Sequence, residues 1–205
     1  FKNDNFDYNY FSRISNSNLN LIYVGSGKYD NLELFKCFET LYLENFNNIF
    51  LYFITRKEEL SYVYEKLKGN YLIKIIEASK NELYKYYRDC DISLLFFKTY
   101  LIKYVKEGDF ANKDYLFIAL PVKFMEYLEQ GKPVITYKET LVSKFIKENN
   151  IGWVIDYNYL SLKELLLYLV NNKHEVMEKT KNVIKIRDKY SWESVANKVV
   201  SVLQK

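Results

Sequence analysis

Two stretches of the chain hold residue types and spacings suited to gripping a phosphorylated ligand. The longer reads Leu120-Pro121-Val122-Lys123-Phe124-Met125-Glu126-Tyr127-Leu128-Glu129-Gln130-Gly131-Lys132-Pro133-Val134-Ile135. Proline near the first turn and glycine at the end mark a short helix that leads straight into a buried strand. The free amides around Val122, Lys123 and Phe124, with the Lys123 charge beside them, form a natural site for a pyrophosphate. Glu126 lies about one turn further in, where a carboxylate can accept hydrogen bonds from a vicinal diol such as that of a ribose. The same spacing also suits a plain solvated i,i+3 ion pair of Lys123 with Glu126, worth only about 0.2–0.5 kcal/mol. The shorter stretch, Tyr23-Val24-Gly25-Ser26-Gly27-Lys28, puts two glycines and a lysine between a strand and a helix, which permits close backbone approach to a phosphate. It is neither a full GxGxxG fingerprint nor a P-loop, so dinucleotide and ATP-hydrolysing readings lose support. A tight strand-to-helix turn explains it as well.

Other residues capable of chemistry have plainer explanations. His174, the single histidine, stands without partners at a helix start and reads as a solvated surface residue, not a triad member. Cys37 and Cys90 lie in separate amphipathic segments with no CxxC spacing, which points to buried thiols and to neither a disulfide framework nor a zinc site. Trp192 reads as a core anchor, because Val195, Val199 and Val202 follow it at helical spacing, and Trp153 falls within a strand.

The elements that position these residues alternate along the chain. Continuous apolar runs, of the kind expected for parallel strands covered on both faces, occur at Asn20 to Val24, Ile49 to Ile54, Leu72 to Glu77, Asp91 to Phe97, Pro133 to Tyr137 and Gly152 to Asp156. Capping-box spacings predict helix starts at Asp30 with Glu33, Thr55 with Glu58, Ser79 with Glu82 and Ser161 with Glu164. Gly69 and Gly131, the latter followed by Pro133, predict two helix stops. The pattern predicts an α/β fold, a Rossmann-like doubly wound parallel sheet of about six strands, with ligands at the carboxyl ends of the strands. Helical stretches alone follow the sixth strand: Ser161 to Asn171, Glu175 to Lys189 and Ser191 to Leu203. Lys98 to Leu120 breaks the rhythm as a long connection of mixed charge, in which Glu107, Asp109 and Asp114 offset most of Lys98, Lys103, Lys106 and Lys113. It reads as a solvated flap, with a membrane-surface or acceptor contact as the alternative.

Composition narrows the field. A chain of 205 residues, 49% hydrophobic and 27% charged, is long enough to bury about 70% of its unfolded surface. The balance of 30 Lys and Arg against 26 Asp and Glu leaves a net charge of +4 spread along the chain, so nothing marks a nucleic-acid footprint. No apolar run approaches the roughly 18–20 residues of a membrane span. The chain opens on Phe1 and an Asn-rich stretch, which reads as the interior of a longer protein. The 21 Tyr and 14 Phe accompany heavy Lys and Asn usage, the bias of AT-rich codons.

The Pro-x-Lys-x-x-Glu-Tyr-Leu motif at 121–128, followed by Gly-Lys-Pro-Val-Ile at 131–135, closely resembles the nucleotide-sugar-binding, carboxy-terminal half of GT-B glycosyltransferases, in particular glycosyltransferase family 4. The resemblance extends to Tyr23-Val24-Gly25, to Leu83 through Ser93, to Asn149-Asn150-Ile151-Gly152-Trp153-Val154 and to Tyr190-Ser191-Trp192-Glu193. Even Asn5 to Phe11 resembles the family's interdomain connection. It implies a linker-like segment over 1–18, a nucleotide-sugar-binding domain over 19–190 and a terminal helix over 191–205. Carried over by position, Glu126 would hold the donor ribose, the amides of Val122 to Phe124 would face the diphosphate with Lys123 adding charge, Gly25 to Lys28 would line the cleft, and Glu77-Ala78-Ser79 would lie near the base. Arg56 is a poorer candidate. Where many members carry a second glutamate eight positions before the ribose-binding one, this chain has Ile118.

The implied reaction is retaining, metal-independent transfer from a nucleotide-sugar to a surface glycan or glycolipid, without a cofactor. Any general base and the acceptor site would lie in an amino-terminal domain, so the carboxy-terminal half alone should not catalyse transfer, and the resemblance assigns no catalytic residue. The implied location is cytoplasmic, with peripheral contact at the inner face of the membrane. A GT-B nucleotide-sugar epimerase and a non-catalytic GT-B-derived module are the alternatives, the second favoured by Ile118.

Overall fold

The computed structural model describes residues 18–26, 31–67, 69–96, 121–138 and 140–190, together with positions 194 and 200. Gly27, Lys28, Ile118, the 98–120 connection, Trp192 and most of the predicted terminal helix lie outside the described residues.

Six parallel strands form one sheet: β1 (Leu19–Val24), β2 (Ile49–Thr55), β3 (Ile73–Glu77), β4 (Ile92–Leu95), β5 (Val134–Tyr137) and β6 (Gly152–Ile155). Their order is β3-β2-β1-β4-β5-β6. Each predicted run yields its strand. The helices are α1 (Leu32–Leu43), α2 (Lys57–Leu67), α3 (Leu83–Asp89), α4 (Val122–Glu129), α5 (Leu141–Asn149), α6 (Tyr159–Asn171) and α7 (Lys173–Arg187), closed by a 3-10 turn at Asp188–Tyr190.

The continuous apolar runs reflect burial on two faces. Alternate residues such as Leu21, Phe53, Leu94 and Ile135 join α1, α2 and α6 in one core, which includes Phe38, Val63 and Leu166. Residues of the opposite parity, such as Ile22, Ile54 and Val134, pack with α3, α4 and α5 through Tyr87, Phe124, Tyr127 and Ile146. Helix α7 serves both layers, placing Val176 in the first and Val183 in the second.

The helix starts depart from the capping boxes read in the sequence. The N-cap of α1 is Asn31, and the Glu33 carboxylate instead accepts the Tyr159 N–H at 2.6 Å, at the head of α6. Thr55 donates to Glu59 rather than pairing with Glu58. Ser161 is no cap either: Asn158 is, with its side-chain oxygen taking the Ser161 N–H at 2.7 Å. Both residues are of capping type, and the earlier one wins because the helix extends back to it. Between Ser79 and Glu82 the predicted pair does form, with Glu82 accepting from both the N–H and the hydroxyl of Ser79 ahead of α3. A reciprocal box of Thr140 and Ser143 starts α5.

The predicted stops hold, with Gly69 and Gly131 at φ of 83° and 68°, a left-handed conformation that favours glycine. Entry into β6 has a second cause. Asn150 is left-handed at φ 52°, and a Cβ on Gly152 would sit 2.0 Å from the Val134 carbonyl oxygen. The chain therefore needs glycine where β6 meets β5.

Candidate functional site

The strand order reverses between β1 and β4, the position at which open α/β sheets form a ligand crevice beyond their carboxyl ends. Pairing of these strands ends at Tyr23 with Leu94. Just past that point the Tyr127 hydroxyl donates to the Leu94 carbonyl at 3.3 Å, and its oxygen takes the Val24 N–H. Burial is complete and raises the phenol well above its ordinary pKa. Tyr127 thus spans the splayed strands and fixes α4 over the crevice. Sequence reasoning passed over it, although it directly follows Glu126.

The glycine turn is held by side chains as much as by its own backbone. The Gly25 N–H donates to the Ile54 carbonyl at 3.0 Å. A Cβ there would meet the Tyr23 hydroxyl at 2.9 Å, and that ring is itself buried and stacked on Phe53. The Ser26 hydroxyl donates to one oxygen of Glu59 at 2.8 Å, and Thr55 donates to the other at 3.1 Å. Asn31 completes the clamp by donating to the Ser26 carbonyl at 3.0 Å. Glu59 is a buried carboxylate that the sequence did not single out. Its effect is to commit the Ser26 hydroxyl proton inward.

The start of α4 differs in detail from the expectation. Pro121 takes φ −59° and ψ 143° as N-cap, with no side-chain cap. Its carbonyl accepts the Phe124 N–H at 2.9 Å and the Met125 N–H at 3.2 Å, so the Phe124 amide is not available to an anion. The Phe124 ring is buried edge-on to Phe145. The amides of Val122 and Lys123 remain, without partners among the described residues, and Val122 is strongly exposed.

Lys123 and Glu126 are close but not simply solvated. The Lys123 ammonium lies 2.7 Å from Oε2 of Glu126, with the two side chains 36% and 23% exposed. Tyr87 of α3, only 3% exposed, donates to the same oxygen at 3.3 Å. Glu126 Oε1 has no partner among the described residues. The structure therefore aims Lys123 at Glu126.

The turn Glu77-Ala78-Ser79 lies on the same edge of the sheet at the end of β3, two strands from β1, or about 10 Å. Hydrogen bonds from Ser79 hold the exposed Glu82 carboxyl below its ordinary pKa. From this turn α3 returns along the sheet and delivers Tyr87 to Glu126, which links the outlying turn to α4. Arg56 is exposed at the end of β2.

Other candidates sit elsewhere. His174 is exposed. Both thiols are free and buried, with desolvation pushing Cys37 up to about 12 and Cys90 well above its ordinary value. Trp153 is half-buried against the first core. One triplet, Asp89-Cys90-Asp91, has the Asp-x-Asp spacing of a metal-diphosphate motif, but it precedes β4 and so lies at the opposite edge of the sheet. There the buried Asp91 accepts the Asn20 N–H at 2.8 Å, and the Lys132 ammonium donates to the Cys90 carbonyl at 2.7 Å.

Residues 98–199 match the family model described as "Glucosyltransferase 3-like, C-terminal domain". No curated protein matches the chain. Among solved structures, WaaG, a glycosyltransferase involved in lipopolysaccharide biosynthesis, superposes with a TM-score of 0.62 at 18% identity, over 98% of this chain and 51% of its own. HepE from Anabaena, in complex with UDP-glucose, gives 0.64 at 8% identity over 96% and 51%. The C-terminal domain of a glycosyl transferase group 1 family protein, LpcC from Francisella tularensis, gives 0.60 at 15% identity over 89% and 90%. The chain spans about half the length of WaaG and HepE and nearly all of the LpcC domain. The strand order and these superpositions agree: the chain has the fold of the carboxy-terminal domain of GT-B glycosyltransferases.

Proposed function

We propose that the chain is the donor-binding half of a glycosyltransferase that moves a sugar from a nucleotide-sugar to a glycan or glycolipid acceptor. The observation that carries this reading is Glu126. One of its carboxylate oxygens is tied to Lys123 and Tyr87, while the other has no partner among the described residues, on the helix that Tyr127 ties to the ends of β1 and β4. An open carboxylate oxygen one turn inside a helix suits the hydroxyls of a ribose. The Val122 and Lys123 amides, at the positive end of α4, suit the diphosphate.

In this reading the Gly25-Ser26 turn lines the cleft, and Glu77, Ala78 and Ser79 lie toward the base. The chemistry is loss of a nucleoside diphosphate whose developing charge is stabilised by helix amides and lysine, without a metal and with retention at the sugar carbon. The chain supplies donor binding only. An amino-terminal domain supplies the acceptor site and any general base. The enzyme works in the cytoplasm at the membrane's inner face, and no helix among the described residues is long and apolar enough to cross a membrane. Ile118, at the position of a family glutamate, favours a second reading, a module that binds without catalysing transfer.

Calorimetric titration of the chain with UDP, GDP, ADP and CMP, beside Glu126→Gln, tests the reading. Binding of one nucleoside diphosphate that weakens by about 1–3 kcal/mol in the variant, the worth of a charged hydrogen bond, supports it. A folded chain that binds none of the four overturns donor binding.

A further inference from the structure

We propose that Tyr87 is the positioning residue that sets ribose selectivity, by holding the Glu126 carboxylate with its Oε1 toward the sugar hydroxyls. The inference rests on the donor-binding reading above. Tyr87 comes from α3, on a different crossover from Glu126, and its phenol is 3% exposed with Glu126 Oε2 as its hydrogen-bond partner at 3.3 Å. Lys123 reaches the same Oε2 from within α4 at 2.7 Å. Both donors take the same oxygen, which restrains the carboxylate and leaves Oε1 without a partner among the described residues.

The two donors are not equivalent. Lys123 is a partly exposed side chain in the first turn of α4, long enough to turn to a diphosphate when one arrives. Tyr87 has no such freedom, because its ring packs edge-on to Tyr127 at 5.8 Å, and Tyr127 is locked between β1 and β4. Once Lys123 turns away, the phenol alone keeps Glu126 in place. The bond exceeds the common O–H···O length, and closure of Glu126 onto a ribose would shorten it.

The test compares affinities for UDP, GDP and ADP with those for their 2′-deoxy counterparts in the wild-type chain, Tyr87→Phe, Glu126→Ala and the double variant. Tyr87→Phe removes one oxygen and keeps the ring contact, so the fold survives. The wild-type chain is expected to prefer the ribonucleotide by about tenfold or more, and Tyr87→Phe to cut that preference by about three- to tenfold, the worth of one ordinary hydrogen bond. Affinity for the 2′-deoxy form should stay within about twofold. In the Glu126→Ala background, which leaves the phenol no side chain to hold, the same change should do nothing more to the preference. Equal weakening toward both sugars would make Tyr87 merely structural and overturn the inference, as would an unchanged preference or an additive loss in the double variant. In each of those cases the donor site itself stands. Failure of the wild-type chain to bind any of these nucleotides overturns both the inference and the reading beneath it.

Discussion

Removing Glu126 should destabilise the fold before any ligand is considered, and by an amount that depends on what replaces it. Glu126→Ala deletes the acceptor for the Lys123 ammonium at 2.7 Å and for the Tyr87 phenol at 3.3 Å. The ammonium is 36% exposed and rehydrates, so its loss costs only about 0.2–0.5 kcal/mol. Tyr87 is 3% exposed, and a buried donor left unpaired costs about 1–3 kcal/mol. Because the bond is long, the lower part of that range applies. Their sum is about 1.5 kcal/mol, or roughly 3–6 °C in melting temperature for a chain of this size. Glu126→Gln keeps a carbonyl oxygen for the phenol and should cost about 0.5 kcal/mol or less. Urea unfolding followed by circular dichroism reads both values. Equal stability of the two variants would refute the reasoning, since it would mean that Tyr87 does not depend on residue 126.

Three further outcomes are expected. Gly152→Ala forces a Cβ to within 2.0 Å of the Val134 carbonyl and should cost about 3 kcal/mol or more, seen as a large drop in the urea midpoint. Tyr127→Phe removes the phenol that bridges Val24 and Leu94. It should cost about 1–2 kcal/mol and speed hydrogen exchange at the Val24 amide, whereas unchanged exchange there would contradict the bridge. Burial raises the Asp91 carboxyl above its ordinary 3.8, against the Asn20 N–H and the Lys132 and Lys173 charges that lower it. A raised folded-state value favours the native chain below the unfolded value and withdraws that stability as pH rises through the folded one. The stability of Asp91→Asn relative to wild type should therefore climb as pH rises above about 4, and a flat difference would contradict the assignment.

The features legible in the sequence are those with local signatures. Six strands could be placed because parallel strands buried on both faces are written as uninterrupted apolar runs, as at Ile49 to Ile54. The start and end of α4 were legible because Pro121 and Gly131 punctuate it, and Glu126 stood out through its spacing from Lys123. Contacts between distant elements were not legible. Glu59 reaches Ser26 across 33 residues, and Tyr87 reaches Glu126 across 39. No local pattern distinguishes either from other glutamates and tyrosines in a chain with 21 Tyr. The capping errors have a different origin. Polar residues crowd the loops, as at Asn158 and Ser161, and the choice of cap depends on where the helix docks against the sheet rather than on residue type. Phe124 shows a third case, in which the motif gave the helix but not that its own amide is taken up by Pro121.

An anionic nucleotide held at the carboxyl edge of the sheet, across β1 and the start of α4, is what the donor-binding reading requires. The most direct measurement is a two-dimensional amide NMR titration of the chain with the nucleoside diphosphate that binds in calorimetry. Shifts should concentrate at Val24, Gly25 and Ser26 and at Val122, Lys123 and Glu126, with the amino-terminal edge around Asn20 and Asp91 unmoved. Shifts confined to that opposite edge, or spread evenly over the surface, would contradict it.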